Sequence, residues 1–193
     1  MVPVAPKARR PWLLLAFLLP LLLAQPLWAG EKAAIRELVV TNSERELLLY
    51  LTVANAFTPE LEAGIHNGLP ATFTYSVRLK QLKKGWADKE VASFSFDRTL
   101  TYDNLKKEYQ VLLGEREGKA EAAASLAAAE RMMSEVNGLA VLPVDKLAAE
   151  ASYRLQVKAI LAKNTLPLSL HYLIPFWGLW DFKTDWATVE FTY

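Results

Sequence analysis

Residues 58–82 read TPELEAGIHNGLPATFTYSVRLKQL, and the change of period inside this stretch decides the fold. Thr58-Pro59 fits a helix start, because a Thr hydroxyl can accept from an orphan N–H and proline is tolerated at the first helical position. Glu60 and Glu62 lie in the first turn, where the helix dipole favours negative charge. Leu61 and Ile65, four apart, share one face. Asn67-Gly68 supplies the left-handed residue that commonly ends a helix, and Pro70 prevents continuation. From Thr72 the period becomes two. Phe73, Tyr75, Val77 and Leu79 point one way, and Thr74, Ser76, Arg78 and Lys80 the other. Clean alternation of this kind predicts a half-buried strand in an antiparallel sheet.

Working outward, Ile35–Val40 and Glu46–Ala54 flank the polar Thr41-Asn42-Ser43-Glu44-Arg45 and predict a hairpin. Its second strand, LLLYLTVA, is apolar on both faces and belongs at the centre of a sheet. Beyond a charged loop around Trp86, a strand runs from Glu90 to Tyr102 with Ala92, Phe94, Phe96, Leu100 and Tyr102 on one face. Asp103-Asn104-Leu105 makes a turn into a strand at Glu108–Leu113. The alanine-rich 119–135 segment carries Ala122, Leu126, Ala129, Met133 and Val136 at helical spacing. It predicts an amphipathic helix stopped by Asn137-Gly138. Val144–Ala149 adds a helical turn, Ser152–Leu161 alternates strictly, and a last strand runs from Trp186 to Tyr193. The expected fold is mainly β, an antiparallel β-sandwich of about seven strands with two inserted helices.

The first residues belong to a different regime. Lys7, Arg9 and Arg10 precede an apolar run from Trp12 to Leu23, and Pro26, Trp28 and Ala29 lead into Glu31-Lys32. This pattern predicts a signal peptide over 1–29, cleaved after Ala29, leaving a single domain at 30–193. An uncleaved anchor is the competing reading, but Pro20, Gln25 and Pro26 interrupt the roughly 20 apolar residues a membrane span needs. The expected location is the periplasm, with membrane anchoring if the leader stays. Without the three leader cations, the 22 Lys and Arg fall to 19 against 21 Asp and Glu. That balance offers no footprint for nucleic acid. The absence of cysteine excludes a disulfide framework, a thiolate metal site, a Cys nucleophile and a lipid-modified N-terminal cysteine.

Several motifs together resemble one family. Glu62-Ala63-Gly64-Ile65 precedes the aromatic strand, and Leu100-Thr101-Tyr102-Asp103 is followed by Glu108-Tyr109. The alanine-rich segment comes next, then Leu166-Pro167, Trp180-Asp181-Phe182 and Asp185-Trp186. In this order, over most of the mature chain, they are similar to the bacterial set known as domain of unknown function 4390. The resemblance implies an exported protein of a Gram-negative bacterium. It brings no catalytic residues with it.

Chemistry is sparse. A metal site needs several converging ligands, whereas His66 and His171 lie far apart in sequence and in unlike settings. His66 is expected exposed at a helix end, and His171 packed beside Tyr172. Ser43, Ser125 and Ser134 sit in turn or helix-surface patterns, and no serine occupies a Gly-x-Ser-x-Gly elbow. Asp181 and Asp185, beside Trp180 and Trp186, could form a sugar-binding or glycosidic pair, but a solvated loop cap is the simpler and favoured account. Met132 and Met133 read as core. No enzyme, no metal and no cofactor is expected.

The candidate binding residues are Tyr172, Phe176, Trp177, Trp180 and Trp186. Rings this large either plug an open end of the sandwich or form a greasy surface for a partner or for the membrane interface. The function expected is a non-catalytic envelope protein acting as a protein-interaction module, with a protein partner that is itself associated with the membrane among the candidates. The alternative is a carrier or binder of a lipid or other apolar ligand held between the sheets.

Overall fold

The computed structural model describes residues 31–161 and 182–193. The chain divides into two units, Met1–Glu31 and Lys32–Tyr193, and the fold below is that of the second. The expected leader, His171, Tyr172, Phe176, Trp177, Trp180 and Asp181 lie outside the described residues.

In chain order the elements are β1 (Ala34–Asn42), β2 (Glu46–Ala54), α1 (Pro59–His66), β3 (Ala71–Gln81), β4 (Lys89–Asp103), β5 (Glu108–Leu113), β6 (Lys119–Ala123), α2 (Leu126–Ser134), β7 (Glu135–Pro143), β8 (Ser152–Leu161) and β9 (Ala187–Thr192). Short 3-10 turns occupy Gly114–Arg116 and Val144–Lys146. The strands form two sheets, β1-β2-β7 and β6-β5-β4-β3-β8-β9, every pairing antiparallel. The mainly β, sandwich-like fold with two helices is therefore as the alternation indicates, with nine strands among the described residues instead of about seven.

Local chemistry accounts for the joints. Ser43 Oγ accepts from the N–H of Glu46 at 2.9 Å and closes the β1–β2 hairpin. The Thr58 hydroxyl accepts from Leu61 N–H at 3.3 Å, and Gly68 at φ +83° ends α1. Asp103 Oδ1 accepts from the N–H groups of Leu105 and Lys106, at 2.9 and 3.0 Å, in the β4–β5 turn.

Strand β2 is central in its sheet, as its doubly apolar sequence requires, with Leu47, Leu49, Leu51 and Val53 buried. Strand β3 is central in the larger sheet, and Phe73, Tyr75, Val77 and Leu79 are buried with Leu155 and Val157 of β8 and Val111 of β5 in one continuous cluster. One side of the sandwich is closed where β1 meets β9. On the other side α2 touches β2, β4, β5, β6 and β7, its Ala129 and Met133 fully buried.

The alanine-rich segment departs from expectation. Lys119–Ala123 is a strand paired with β5, helix α2 covers Leu126–Ser134 alone, and the chain passes directly into β7. Ser125 starts the helix, its hydroxyl accepting from Ala128 N–H at 3.2 Å. Pairing with β5 outweighs the helix propensity of alanine, which is a weak preference easily overridden by tertiary context. Asn137-Gly138 is no helix stop. Gly138, at φ +72°, sits where the β2–β7 register slips, a left-handed conformation that side-chain-bearing residues rarely adopt. Ala122 and Val136, placed on a helical stripe by the sequence, therefore lie in strands.

Candidate functional site

Of the five aromatic candidates, Trp186 alone is among the described residues. It lies just before β9, half-buried on the outer face of the six-stranded sheet. The Arg78 guanidinium stands 4.7 Å from its ring centroid and the Lys158 ammonium 5.5 Å. The register explains the meeting: Val157 pairs with Ala187, so Trp186 continues the strand opposite Lys158. Desolvation and the neighbouring Lys183 and Arg78 hold the Lys158 ammonium below its usual pKa, partly offset by Asp185. Asp185 itself is exposed.

His66 ends α1 in an exposed position, as expected, yet it is not solitary. It packs edge-on against Tyr102 and Tyr109, at 5.4 and 5.7 Å between centroids, and the Tyr109 hydroxyl lies 3.1–3.2 Å from its ring nitrogens. Burial, with Tyr102, Glu130 and Glu62 nearby, raises the Tyr109 phenol. Among the described residues no three His, Asp or Glu side chains gather in a way that could hold a metal ion.

The largest concentration of buried polarity escapes a simple reading of the sequence. Arg98 is 4% exposed. Its Nε donates to Glu115 Oε1 at 2.9 Å and Nη2 also contacts that oxygen, while Nη1 donates to the carbonyls of Met132 and Glu135 at 2.7 and 2.6 Å. The guanidinium stacks over Tyr75 and Phe96, which stack on each other at 4.9 Å. The Tyr75 hydroxyl donates to Met133 O at 2.6 Å, and burial pushes its pKa well above the usual phenol range. Met132 and Met133 thus serve through their carbonyls as well as their side chains. Arg98 and Tyr75 together satisfy the carbonyls of Met132, Met133 and Glu135 where α2 passes into β7, as a buried helix end requires. Glu115 Oε2 has no hydrogen-bond partner among the described residues.

Above this network lies a groove of about 670 Å³. One wall comes from β7 (Asn137–Ala140) and the other from Glu115, Arg116 and Glu121 around the β5–β6 connection, with Arg131 of α2 at its rim. Strand β7 is the last strand of its sheet, and its register slips twice against β2. Bulges of this kind blunt an edge against indiscriminate strand addition.

The described residues thus form an antiparallel, sandwich-like β fold with α2 across one side and a charged groove beside that helix. The chain belongs to the family described as Domain of unknown function (DUF4390), whose model matches residues 30–190. No curated protein and no solved structure matches it.

Proposed function

We propose that this chain is a non-catalytic, exported cell-envelope protein whose sandwich is a protein-interaction module, docking its partner at the groove between β7 and the β5–β6 connection. The observation that carries the reading is the groove itself: about 670 Å³, walled by both sheets, with Arg116 and Arg131 set against Glu121 and Glu135. A rim of both signs fixes the orientation of a partner and rejects mismatched ones. The bulges in β7 argue for recognition through side chains, not through an added strand. The non-catalytic part rests on Arg98, the buried cation under the groove, whose donors are spent on Glu115 Oε1 and on the carbonyls of Met132 and Glu135. The apolar-carrier reading has less behind it. Leu49, Phe73, Tyr75, Leu79 and Leu155 fill the space between the sheets at 0% exposure.

A photo-crosslinking side chain placed at the exposed Ala140 in the native envelope should give one discrete adduct. A chain that stays solitary there, while a crosslinker outside the groove traps a partner, would move the docking site elsewhere. A chain solitary from every position would end the reading. Export is tested separately by N-terminal sequencing of the envelope protein, which should begin at Gly30; an intact Met1 would contradict cleavage.

A further inference from the structure

The β3–β4 hairpin ends in Lys83-Lys84-Gly85-Trp86-Ala87-Asp88-Lys89, and Trp86 at its tip is 83% exposed. Leaving an indole in water forgoes the large gain that burying its ring would bring. No core position requires a tryptophan there, and a smaller residue would turn the chain as well around Gly85 at φ +77°. Three lysines flank the ring.

The same end of the six-stranded sheet carries a cationic outer face. Arg78 and Lys80 alternate with the buried Val77 and Leu79 of β3, and across the β3–β8 register they stand opposite Gln156 and Arg154. Further along that face Arg78 and Lys158 stand over the Trp186 ring, with Lys183 beside Lys158. The carboxylates nearby are Asp88, Glu90, Asp185 and Glu190. Two of them are engaged by Arg154, Asp88 at 3.1 Å and Glu190 at 2.7 Å. Among the described residues no carboxylate lies within salt-bridge distance of Arg78, Lys158 or Lys183.

We propose that this face and the Trp86 tip form a docking surface for an anionic phospholipid bilayer, with Trp86 seated at headgroup depth and the cations of β3, β8 and Lys183 over the lipid phosphates. Two features select a bilayer over other occupants. Indole rings flanked by lysine are favoured at the water–lipid boundary, and cations near an anionic leaflet add their attractions over a broad surface without needing a shaped pocket.

The test is co-sedimentation of the full chain with vesicles of phosphatidylcholine, alone or mixed with phosphatidylglycerol. The readout is each variant's partitioning relative to wild type, which cancels the contribution of the leader. Trp86→Ser, at an exposed position that does not disturb folding, should weaken partitioning into mixed vesicles by roughly tenfold. Arg78→Gln/Lys158→Gln/Lys183→Gln should weaken it by about fivefold for each cation removed, about 100-fold in all. That loss should be absent on pure phosphatidylcholine and should shrink as salt is raised. Unchanged partitioning of both variants, with native circular dichroism, would overturn the proposal. So would displacement of the wild type by millimolar inorganic phosphate at constant ionic strength, which would make the cluster a small-anion site. Concentration-dependent dimerisation lost in Trp86→Ser would overturn it in favour of a second copy of the chain.

Discussion

Replacing Arg98 by methionine tests the internal logic of this fold more sharply than any other single change. The side chain reaches one carboxylate and two main-chain carbonyls from a position 4% exposed. Methionine fills most of the volume but donates nothing. It leaves the Glu115 carboxylate, whose side chain is 8% exposed, without its counter-ion. Breaking a buried pair from one side costs about 3–5 kcal/mol, chiefly through the stranded charge. Lost hydrogen bonds to Met132 O and Glu135 O act in the same direction, although α2 can shift to rewet part of its end. For a domain of this size each kcal/mol moves Tm by about 2–4 °C, so a fall of about 10 °C is expected. Urea titration should show a lower midpoint at an unchanged slope. The second arm distinguishes a stranded charge from lost packing. Arg98→Met/Glu115→Leu removes the orphan and should recover about 1–3 kcal/mol of the loss. A single variant within about 1 kcal/mol of wild type, below the range for a stranded buried charge, would refute the reasoning. A double variant no more stable than the single would refute it too.

Three further outcomes follow from individual side chains. Tyr75 keeps its proton in the folded state far more firmly than in the unfolded chain, so its contribution is complete below about pH 10 and declines as pH rises beyond that. Tyr75→Phe, which loses the bond to Met133 O, should cost about 1–3 kcal/mol at neutral pH and flatten the alkaline limb of the stability curve. The Asp103 carboxyl is held below its usual range by the Lys106 and Leu105 N–H groups, so its stabilisation is present above the unfolded value and lost as pH falls through the folded one. Urea midpoints of wild type and Asp103→Ala should therefore differ at pH 7 and converge near pH 2. At Gly114 an added Cβ would stand 2.5 Å from the Asp97 carbonyl oxygen. Gly114→Ala must displace main chain and should destabilise by about 1–3 kcal/mol in the same titration.

Much of this architecture is legible in local pattern, because β2, β3, β5 and β8 carry their burial in a strict period of two. Thr58, Gly68, Ser43 and Asp103 place their turns through chemistry confined to four or five residues. The misreading of 119–135 has a physical source. Alanine and glutamate favour helix locally, whereas the strand at Lys119–Ala123 exists only because β5 offers it an edge. Ser125, a good N-cap three residues ahead of an N–H it satisfies, is the local mark of the true helix start. Arg98 was within reach of the same alternation. It shares the face of Ala92, Phe94, Phe96, Leu100 and Tyr102, so a lone cation on an apolar face signals a buried partner. Which partner it finds is not a local property. Glu115 lies 17 residues on and the two carbonyls 34 and 37, and only the assembled sandwich brings them together. The aromatic candidates show the opposite limit. Trp186 can be placed on a face by register, while Tyr172, Phe176, Trp177 and Trp180 fall outside the described residues.

The two proposed surfaces draw on different strands of the larger sheet. The groove is lined from β5, the β5–β6 connection, α2 and β7, whereas the cationic face belongs to β3, β8 and the segment entering β9. Strand β4 stands between β5 and β3, so two strand spacings, about 10 Å, separate the nearest of these strands. At physiological ionic strength the Debye length is about 8 Å, and charges at that separation are largely screened from one another. Engagement of a bilayer should therefore leave recognition at the groove energetically untouched while confining the search for a partner to the membrane plane. A crosslink from Ala140 that survives Trp86→Ser in yield per bound molecule, but forms more slowly, is the signature of that arrangement. Equal loss of both activities in either set of variants would mean that one surface, not two, does the binding.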